Sequence, residues 1–264
     1  MEEAGSFGHV YSSNCFKRKK QKIYDDSHQN YGAPKIAAEL RKSGETIAEK
    51  TVGNYMRQMG IKAQWIKPYT QATIDSDLSQ KLKNILNEKF NPEHPDAVWC
   101  SDITYIWTYK EFVYLTSIMD LYSRKIISWV VSETLEVSHV VKCIEKAKQS
   151  RHIENPLIFH CDRGCQYVSE AFHTATEGMI HSYFKKAYPW DNSCIESFHA
   201  LLKREWINRF KIFNYTHAYK LIFEYIETFY NTVRIRSHCG YLSPNEYEEQ
   251  YLKNLETTVT NLAS

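Results

Sequence analysis

The chain has 264 residues, 43% hydrophobic and 24% charged, with only 9 Gly and 7 Pro, a composition that fits a folded globular protein and excludes a disordered one. Its formal net charge is +2, but residues 1–70 carry +5 and the remainder −3, as expected of a nucleic-acid-binding module joined to a second domain. Charges interrupt the apolar stretch 112–131 and the N-terminus lacks a signal-peptide pattern, so we expect a cytoplasmic, nucleoid-associated protein with no membrane partner.

The basic N-terminal segment predicts two short helices. Apolar residues recur at helical spacing over 36–40 and 52–59, and a glycine follows each run. Two short helices joined by a Gly-containing turn outline a helix-turn-helix. Lys50, Asn54 and Arg57 lie off the apolar stripe, where a recognition helix contacts DNA. The alternative is a helical hairpin whose charges only face solvent.

The next segment predicts a linker that contains one helix, around residues 78–87. The breaker NPEHPD at 91–96 closes it. This divides the chain into a helix-turn-helix-like DNA-binding region over 1–60, a linker over 61–96, an α/β core over 97–210 and a C-terminal helical extension over 211–264.

The core predicts a mixed sheet flanked by helices. Three β-rich runs separated by short turns, at 97–108, 112–121 and 125–132, predict an antiparallel meander. Helices are predicted at 135–148, 168–177, 192–208 and 217–231, and further strands at 156–162 and 179–184. Strands followed by alternating helices and strands indicate an α/β architecture.

Three acidic residues stand in apolar surroundings: Asp102 within a strand, Asp162 at the end of one, and Glu196 near the start of a helix. A carboxylate in a buried strand is costly unless positive charge lies against it, and a divalent metal supplies that charge. Ser193-x-x-Glu196 also matches a capping box, which is the structural alternative for Glu196. Helical spacing places Glu196, His199 and Lys203 on one polar stripe, where a metal and a DNA phosphate would lie side by side.

This set of residues predicts phosphoryl transfer with Mg²⁺ or Mn²⁺. Two such ions about 3.5–4 Å apart, held by acidic side chains, support in-line displacement at a phosphate. A zinc site at His160, Cys161 and Cys165 is the weaker interpretation. The seven cysteines include no CxxC pair, and no second ligand pair follows at finger spacing.

Five segments, in this order, resemble transposases of the IS3 family, of the OrfB type, which carry the integrase core of the retroviral-integrase superfamily. These segments are WCSDITYI at 99–106, MDLYSRKIISW at 119–129, HCDRGCQY at 160–167, DNSCIESFHALLKRE at 191–205 and GYLSPNEY at 240–247. The resemblance runs from about residue 31 to residue 248.

The resemblance implies a ribonuclease-H-like fold with a DDE triad of Asp102, Asp162 and Glu196, preceded by a small all-α helix-turn-helix module. It implies a DNA transposase that cuts at the element's ends and joins the exposed 3′-OH to a phosphodiester, with two metal ions per active site. The implied partners are double-stranded DNA of the ends and the target, further copies of the chain on that DNA, and an upstream-frame helix-turn-helix protein, fused or associated. Lys203 matches a position that contacts DNA in related integrases.

The chain departs from the family pattern at three places. The spacing from Asp162 to Glu196, with 33 residues between them, is shorter than usual, and the shortened stretch includes Lys185 and Lys186, which we expect to orient phosphates with Lys203. Arg236, in a segment expected to touch the DNA backbone, stands where the family usually has His. Residues before about 17 do not resemble the usual beginning. A truncated, catalytically silent relic that only binds DNA is therefore the alternative function.

Overall fold

The computed structural model describes residues 18–63, 82–153, 156–185 and 188–263. The chain divides into two compact units. The first unit comprises Met1–Lys67 and Ile235–Tyr241, and the second unit comprises Pro68–Arg234 and Leu242–Ser264. No helix in the four described ranges is both long and apolar enough to cross a membrane.

The first unit is helical, as predicted. Its helices are α1 over residues 18–26, α2 over Ala33–Lys42 and α3 over Glu49–Gln58. Ile36 and Leu40 of α2 and Val52 and Met56 of α3 are buried in one apolar cluster, because their spacing of three or four residues places them on one face of each helix.

The returning segment Ile235–Tyr241 packs into the same cluster. Ile235 is buried there, and its backbone N–H donates to the hydroxyl of Tyr31 at 2.9 Å. The division drawn from the sequence assigned these residues to the C-terminal extension. That assignment was wrong for this segment, because the contact joins residues some two hundred positions apart, which local patterns do not register.

The second unit is built on a five-stranded mixed sheet with the order β3-β2-β1-β4-β5. The strands are β1 (Val98–Trp107), β2 (Phe112–Asp120), β3 (Ile126–Ser132), β4 (Ile158–Cys161) and β5 (Ile180–Tyr183). The first three pair antiparallel, confirming the predicted meander, and β4 pairs parallel with both β1 and β5.

Helices cover both faces of this sheet. The helices of the second unit are α4 (Val137–Ser150), α5 (Glu170–Ala175), α6 (Ser193–Glu205), α7 (Tyr215–Phe223), which continues as a π-helix over Glu224–Tyr230, and α8 (Pro244–Ala263). Trp99 of β1 packs with α4 and α5 on one face, and its neighbour Cys100 packs with α6 and α7 on the other. This alternation follows from the two-residue period of a strand and gives the predicted ribonuclease-H-like arrangement.

The helix predicted around residues 78–87 is contradicted over its described part. Residues 82–87 are not helical, and 78–81 lie outside the described residues. Here tertiary contacts override helix propensity. The Ser182 hydroxyl accepts hydrogen bonds from the backbone N–H groups of Ile85 and Leu86, each at 3.0 Å, and Leu86 is buried in the core.

Candidate active site

The register of β1 against β4 places two of the predicted carboxylates side by side. Ser101 pairs with Cys161 in this parallel ladder, so the next residue on each chain is an aspartate, Asp102 on β1 and Asp162 just after β4. Residues in register on parallel strands project to the same face of the sheet. The two carboxylates are half-buried at the point where β4 ends.

The turn after β4 holds the Asp162 carboxylate close to the backbone. The N–H of Gly164 donates to Asp162 Oδ1 at 2.9 Å. A Cβ added at Gly164 would lie 3.1 Å from that oxygen, tighter than an ordinary contact. A larger residue there would push the carboxylate aside, so Gly164 contributes to the site although the sequence singled out only the motif around it.

Helix α6 brings Glu196 to the same place. Ile195, Phe198 and Leu202 form its buried stripe against the sheet, which turns Glu196 toward β1. Loss of solvation next to the sheet, and then the negative charge of Asp102, raise the pKa of Glu196 above its ordinary value, although the side chain is exposed. The two carboxylates therefore repel each other, as neighbouring acidic groups do.

The capping-box interpretation of Glu196 does not hold. Asn192 is the N-cap of α6 and Ser193 is already helical, and no side-chain hydrogen bond caps this helix among its described residues. By contrast, α5 has a working cap, in which the Ser169 hydroxyl accepts from the N–H of Phe172 at 3.2 Å.

His199 and Lys203 follow Glu196 on the same side of α6, as the helical spacing predicted. His199 is only 5% exposed; its Nε2 lies 2.8 Å from Ser117 Oγ, and its Nδ1 lies 3.5 Å from Asp102 Oδ2. This burial disfavours the predicted DNA contact of His199. The residue supports Asp102 from behind instead.

Lys203 lies one turn further along α6. Its ammonium is 4.7 Å from the centre of the Tyr105 ring. Burial lowers the pKa of Lys203 below its ordinary value, and the negative charge of Asp102 opposes that shift. A half-buried cation thus stands beside the carboxylates.

The buried thiol and phenol groups next to the carboxylates favour their uncharged forms. Burial, followed by the negative charge of Asp162, raises the pKa of the Cys161 thiol well above its ordinary value, and burial with the charges of Asp162 and Asp102 does the same for the pKa of Tyr167. The Tyr167 hydroxyl lies 2.9 Å from Ser101 Oγ. Ser117 and Tyr167 support the site from strands and turns that no local sequence signal linked to it.

The donor set suits a hard divalent cation. Three carboxylates supply oxygen ligands, and a cation would relieve the repulsion between Glu196 and Asp102. Within the described residues, however, no three His, Cys, Asp or Glu side chains are gathered as a ready metal cluster. The oxygen ligands therefore suit a divalent cation, but the described side chains do not form a compact three-residue metal cluster.

The alternative zinc site is not formed by the described residues either. Cys161 of β4 is buried and Cys165 is exposed. His160 is a core residue, with Nδ1 2.9 Å from Ser182 Oγ and Nε2 3.0 Å from the carbonyl oxygen of Asp191. Burial lowers the pKa of His160, which favours the neutral form of its ring.

The other predicted DNA contacts lie apart from the carboxylates. Lys50, Asn54 and Arg57 are exposed on α3, and Arg57 Nη2 donates to Asn54 Oδ1 at 2.7 Å. Lys185 is exposed and its ammonium donates to Asn87 Oδ1 at 3.2 Å, whereas Lys186 lies outside the described residues.

Arg236 belongs to the first unit. It is half-buried and precedes the 3₁₀ turn Ser237–Cys239, where its carbonyl oxygen accepts from the N–H groups of Cys239 and Tyr241. For Arg236, as for the exposed basic residues of α3 and for Lys185, contact with DNA stays a prediction.

Comparison with known families matches both units. A model described as an HTH-like domain matches residues 17–69, and two models described as an integrase core domain match residues 92–189 and 196–252. Asp102 and Asp162 fall within the first integrase-core match, and Glu196 opens the second.

Curated relatives match most of the chain. The transposase for insertion sequence element IS904 of Lactococcus lactis is 34% identical over 88% of this chain and 92% of its own length. Transposase InsF for insertion sequence IS3A of Escherichia coli K12 is 32% identical over 86% of this chain and 79% of its own. Among solved structures, the catalytic core domain of BIV integrase aligns with 62% of this chain and 99% of its own, at 17% identity and a TM-score of 0.44.

Proposed function

Because this chain belongs to the family of insertion-sequence transposases that includes those of IS904 and IS3, we propose that Asp102, Asp162 and Glu196 are the triad with which it carries out DNA transposition. The enzyme is a polynucleotidyl transferase of the DDE type. No observation on the described residues or the relatives favours a silent relic.

One observation carries the assignment of the triad. Pairing of Ser101 with Cys161 makes Asp102 and Asp162 neighbours, and α6 presents Glu196 close enough for Asp102 to raise its pKa. Like charges are rarely placed together in a fold without a compensating role. A half-buried lysine, Lys203, stands beside them, where a phosphate of the DNA backbone would meet positive charge.

The triad would hold Mg²⁺ or Mn²⁺, two ions in each active site. Such ions, when bound, neutralise charge on the reacting phosphate and lower the pKa of an attacking hydroxyl. Asp102 and Asp162 would bind through carboxylates that the sheet already holds in register, and Glu196 would complete the set from α6. His199 acts as a positioning residue, because its Nδ1 lies against Asp102 and its Nε2 is held by Ser117.

The basic first unit would bind double-stranded DNA at the element's ends. Lys50, Asn54 and Arg57 share the exposed side of α3 while Val52 and Met56 hold the helix in place. We further propose that the chain acts as a homo-oligomer on DNA and that an upstream-frame helix-turn-helix protein assists recognition. Lys185, Lys186 and Arg236 are proposed as additional backbone contacts.

A strand-joining assay tests the triad. The substrate is a duplex carrying the terminal repeat of the element that encodes this chain, incubated with the full chain and either Mg²⁺ or Mn²⁺. Asp102→Asn and Asp162→Asn should each abolish joined product with either ion, because each removes a charged ligand. Glu170→Gln, which neutralises an exposed carboxylate on α5, is the matched control and should join normally. Joining by Asp102→Asn at the wild-type rate would refute the assignment.

Duplex binding across a salt series tests the first unit. Arg57→Ala or Lys50→Ala should weaken binding and lower the slope against log salt by about one for each phosphate that the variant no longer neutralises. Lys42→Ala, on α2 beside Glu39 at 3.3 Å, removes the same charge elsewhere in the unit and is the control. Equal slopes in all of these variants would show that α3 only faces solvent.

A further inference from the structure

The second unit exposes a group of aromatic side chains at the turn end of the β1–β2 hairpin. Tyr105, Trp107 and Phe112 are 55%, 59% and 43% exposed. Trp107 and Phe112 are direct partners across the two strands, so their rings lie on one face, with centroids 4.7 Å apart. The ring of Tyr105 is 5.5 Å from that of Phe112.

The short length of β4 leaves this end of β1 at an edge of the sheet. β4 pairs with β1 only as far as Ser101, so beyond that residue β1 has no strand neighbour on this side among the described strands. The side chains that follow Asp102 therefore border an open edge of the sheet. Exposed clusters of large aromatic side chains commonly mark a binding surface.

The end of α6 and the turn after it provide a second wall. A cleft of about 490 Å³ lies between Tyr105 and Trp107 on one side and Lys203, Ile207 and Phe210 on the other. We call it the aromatic cleft. Its volume lies in the range of pockets that take small organic groups, and its walls include the rings of Tyr105, Trp107 and Phe210.

Positive charge lies at one wall of the aromatic cleft and in the segments that border it. The ammonium of Lys203 lies 4.7 Å from the centre of the Tyr105 ring. The N–H of Tyr109 donates to the carbonyl oxygen of Ile212 at 2.9 Å, which brings the two bordering segments, 105–112 and 207–213, together. These segments carry three basic residues and one acidic residue, which are Lys110, Arg209, Lys211 and Glu111. A second copy of this face would bring like charges together, whereas an anionic ligand is attracted.

We propose that the aromatic cleft binds unpaired DNA bases by stacking them on Tyr105, Trp107 and Phe210. Every base has a flat π face, and the strand that carries it is anionic, so rings bordered by cations match both parts of the ligand. The proposal rests on the proposed function, because the phosphate next to the stacked base would lie at Asp102 and Glu196.

The length of α6 between Glu196 and Lys203 sets the distance from the triad to the aromatic cleft. Lys203 lies seven residues after Glu196 on the same helix, roughly 10 Å along its axis. The ends of a duplex expose unpaired bases when they fray. A strand end held in the cleft would keep its terminal phosphates beside the carboxylates.

Binding of a single-stranded oligonucleotide of about 12 nucleotides tests this inference, within the usual size of single-strand sites. Fluorescence anisotropy of the full chain in EDTA measures affinity without any joining step. Tyr105→Ala and Trp107→Ala should each weaken single-strand binding by about 5- to 150-fold, the effect of removing one stacking partner. Affinity for a blunt duplex should change less than about twofold, and Trp107→Phe should retain most of the single-strand affinity. Phe223→Ala, which removes a 45% exposed ring on α7, is the control and should bind as wild type.

Three results would overturn the inference. The first is unchanged single-strand affinity in both Ala variants. The second is an equal fall in affinity for single strand and duplex, which would indicate a general DNA-binding surface. Loss of self-association in sedimentation with unchanged single-strand affinity would identify a protein interface instead. The two proposals fail separately. If the triad assignment is wrong, Asp102→Asn still joins strands, whereas oligonucleotide binding in EDTA is unchanged.

Discussion

The two ends of α6 carry glutamates in opposite surroundings. Glu205, near the C-terminal end, is 3% exposed, and both of its oxygens accept from the Arg234 guanidinium at 2.6 Å. The Tyr225 hydroxyl also donates to it, at 2.8 Å. Glu196, in the first turn, is exposed, and the group opposite it is another carboxylate, Asp102.

The comparison separates a carboxylate that is neutralised within the fold from one that we propose to be catalytic. Residue type and helix are the same, so the difference comes from what the rest of the fold places opposite each side chain. A buried carboxylate with a two-point guanidinium partner is neutralised within the fold. A carboxylate facing a second carboxylate is unfavourable until a cation arrives, and we expect the role of Glu196 to depend on that cation.

The largest effect is expected for Glu196→Gln. The substitution removes a proposed metal ligand and should lower the rate of strand joining by about 10⁴-fold, as for other essential catalytic groups. Unfolding free energy should change by less than about 0.5 kcal/mol, because the side chain is exposed. Single-turnover joining and thermal unfolding measure the two quantities. Joining within tenfold of wild type would contradict the role.

Glu205→Gln should mainly affect stability. It leaves the Arg234 guanidinium buried without a counter-charge, and we expect the free energy of unfolding to fall by about 3–5 kcal/mol. Urea denaturation measures this decrease. The double variant Glu205→Gln/Arg234→Met, which removes both charges, should recover much of it. A decrease below about 1 kcal/mol for Glu205→Gln alone would show that the ion pair contributes little.

A smaller effect is expected for His199→Phe, which keeps a ring but removes the contacts to Asp102 and Ser117. Joining should fall by about 10- to 100-fold, as for other residues that orient a metal ligand. A positioning role predicts that added Mn²⁺ restores part of the rate, and a metal titration of joining measures this. If saturating Mn²⁺ restores no activity to His199→Phe, and this variant unfolds at the wild-type temperature, a positioning role is excluded.

The smallest effect is expected for Ser193→Ala. Since Ser193 is already inside α6 and makes no capping bond among the described residues, unfolding free energy should change by less than about 0.5 kcal/mol. Ser169→Ala removes a working N-cap from α5 and should cost about 1 kcal/mol. Equal decreases in the two variants would restore the capping-box interpretation of this end of α6.

Several features of the fold follow from local pattern. The β-rich composition of β1, β2 and β3 and the helical period of α2, α3, α4 and α6 are properties of short segments, so the order of elements could be predicted. The stripe of Glu196, His199 and Lys203 was predicted in the same way. Local pattern failed at residues 82–87, where the backbone N–H groups of Ile85 and Leu86 donate to Ser182 of β5 and no helix forms.

The sequence by itself determined the type and order of the elements, the three acidic residues in apolar company, and the family of the protein, because these depend on residue identity at fixed spacing. The tertiary structure decided the rest. It set the register of Ser101 with Cys161, buried His199 against Ser117, paired Glu205 with Arg234 and left the rings beside Lys203 open. Each of these is a contact between distant segments, whose energy depends on which groups the folded chain places opposite each other.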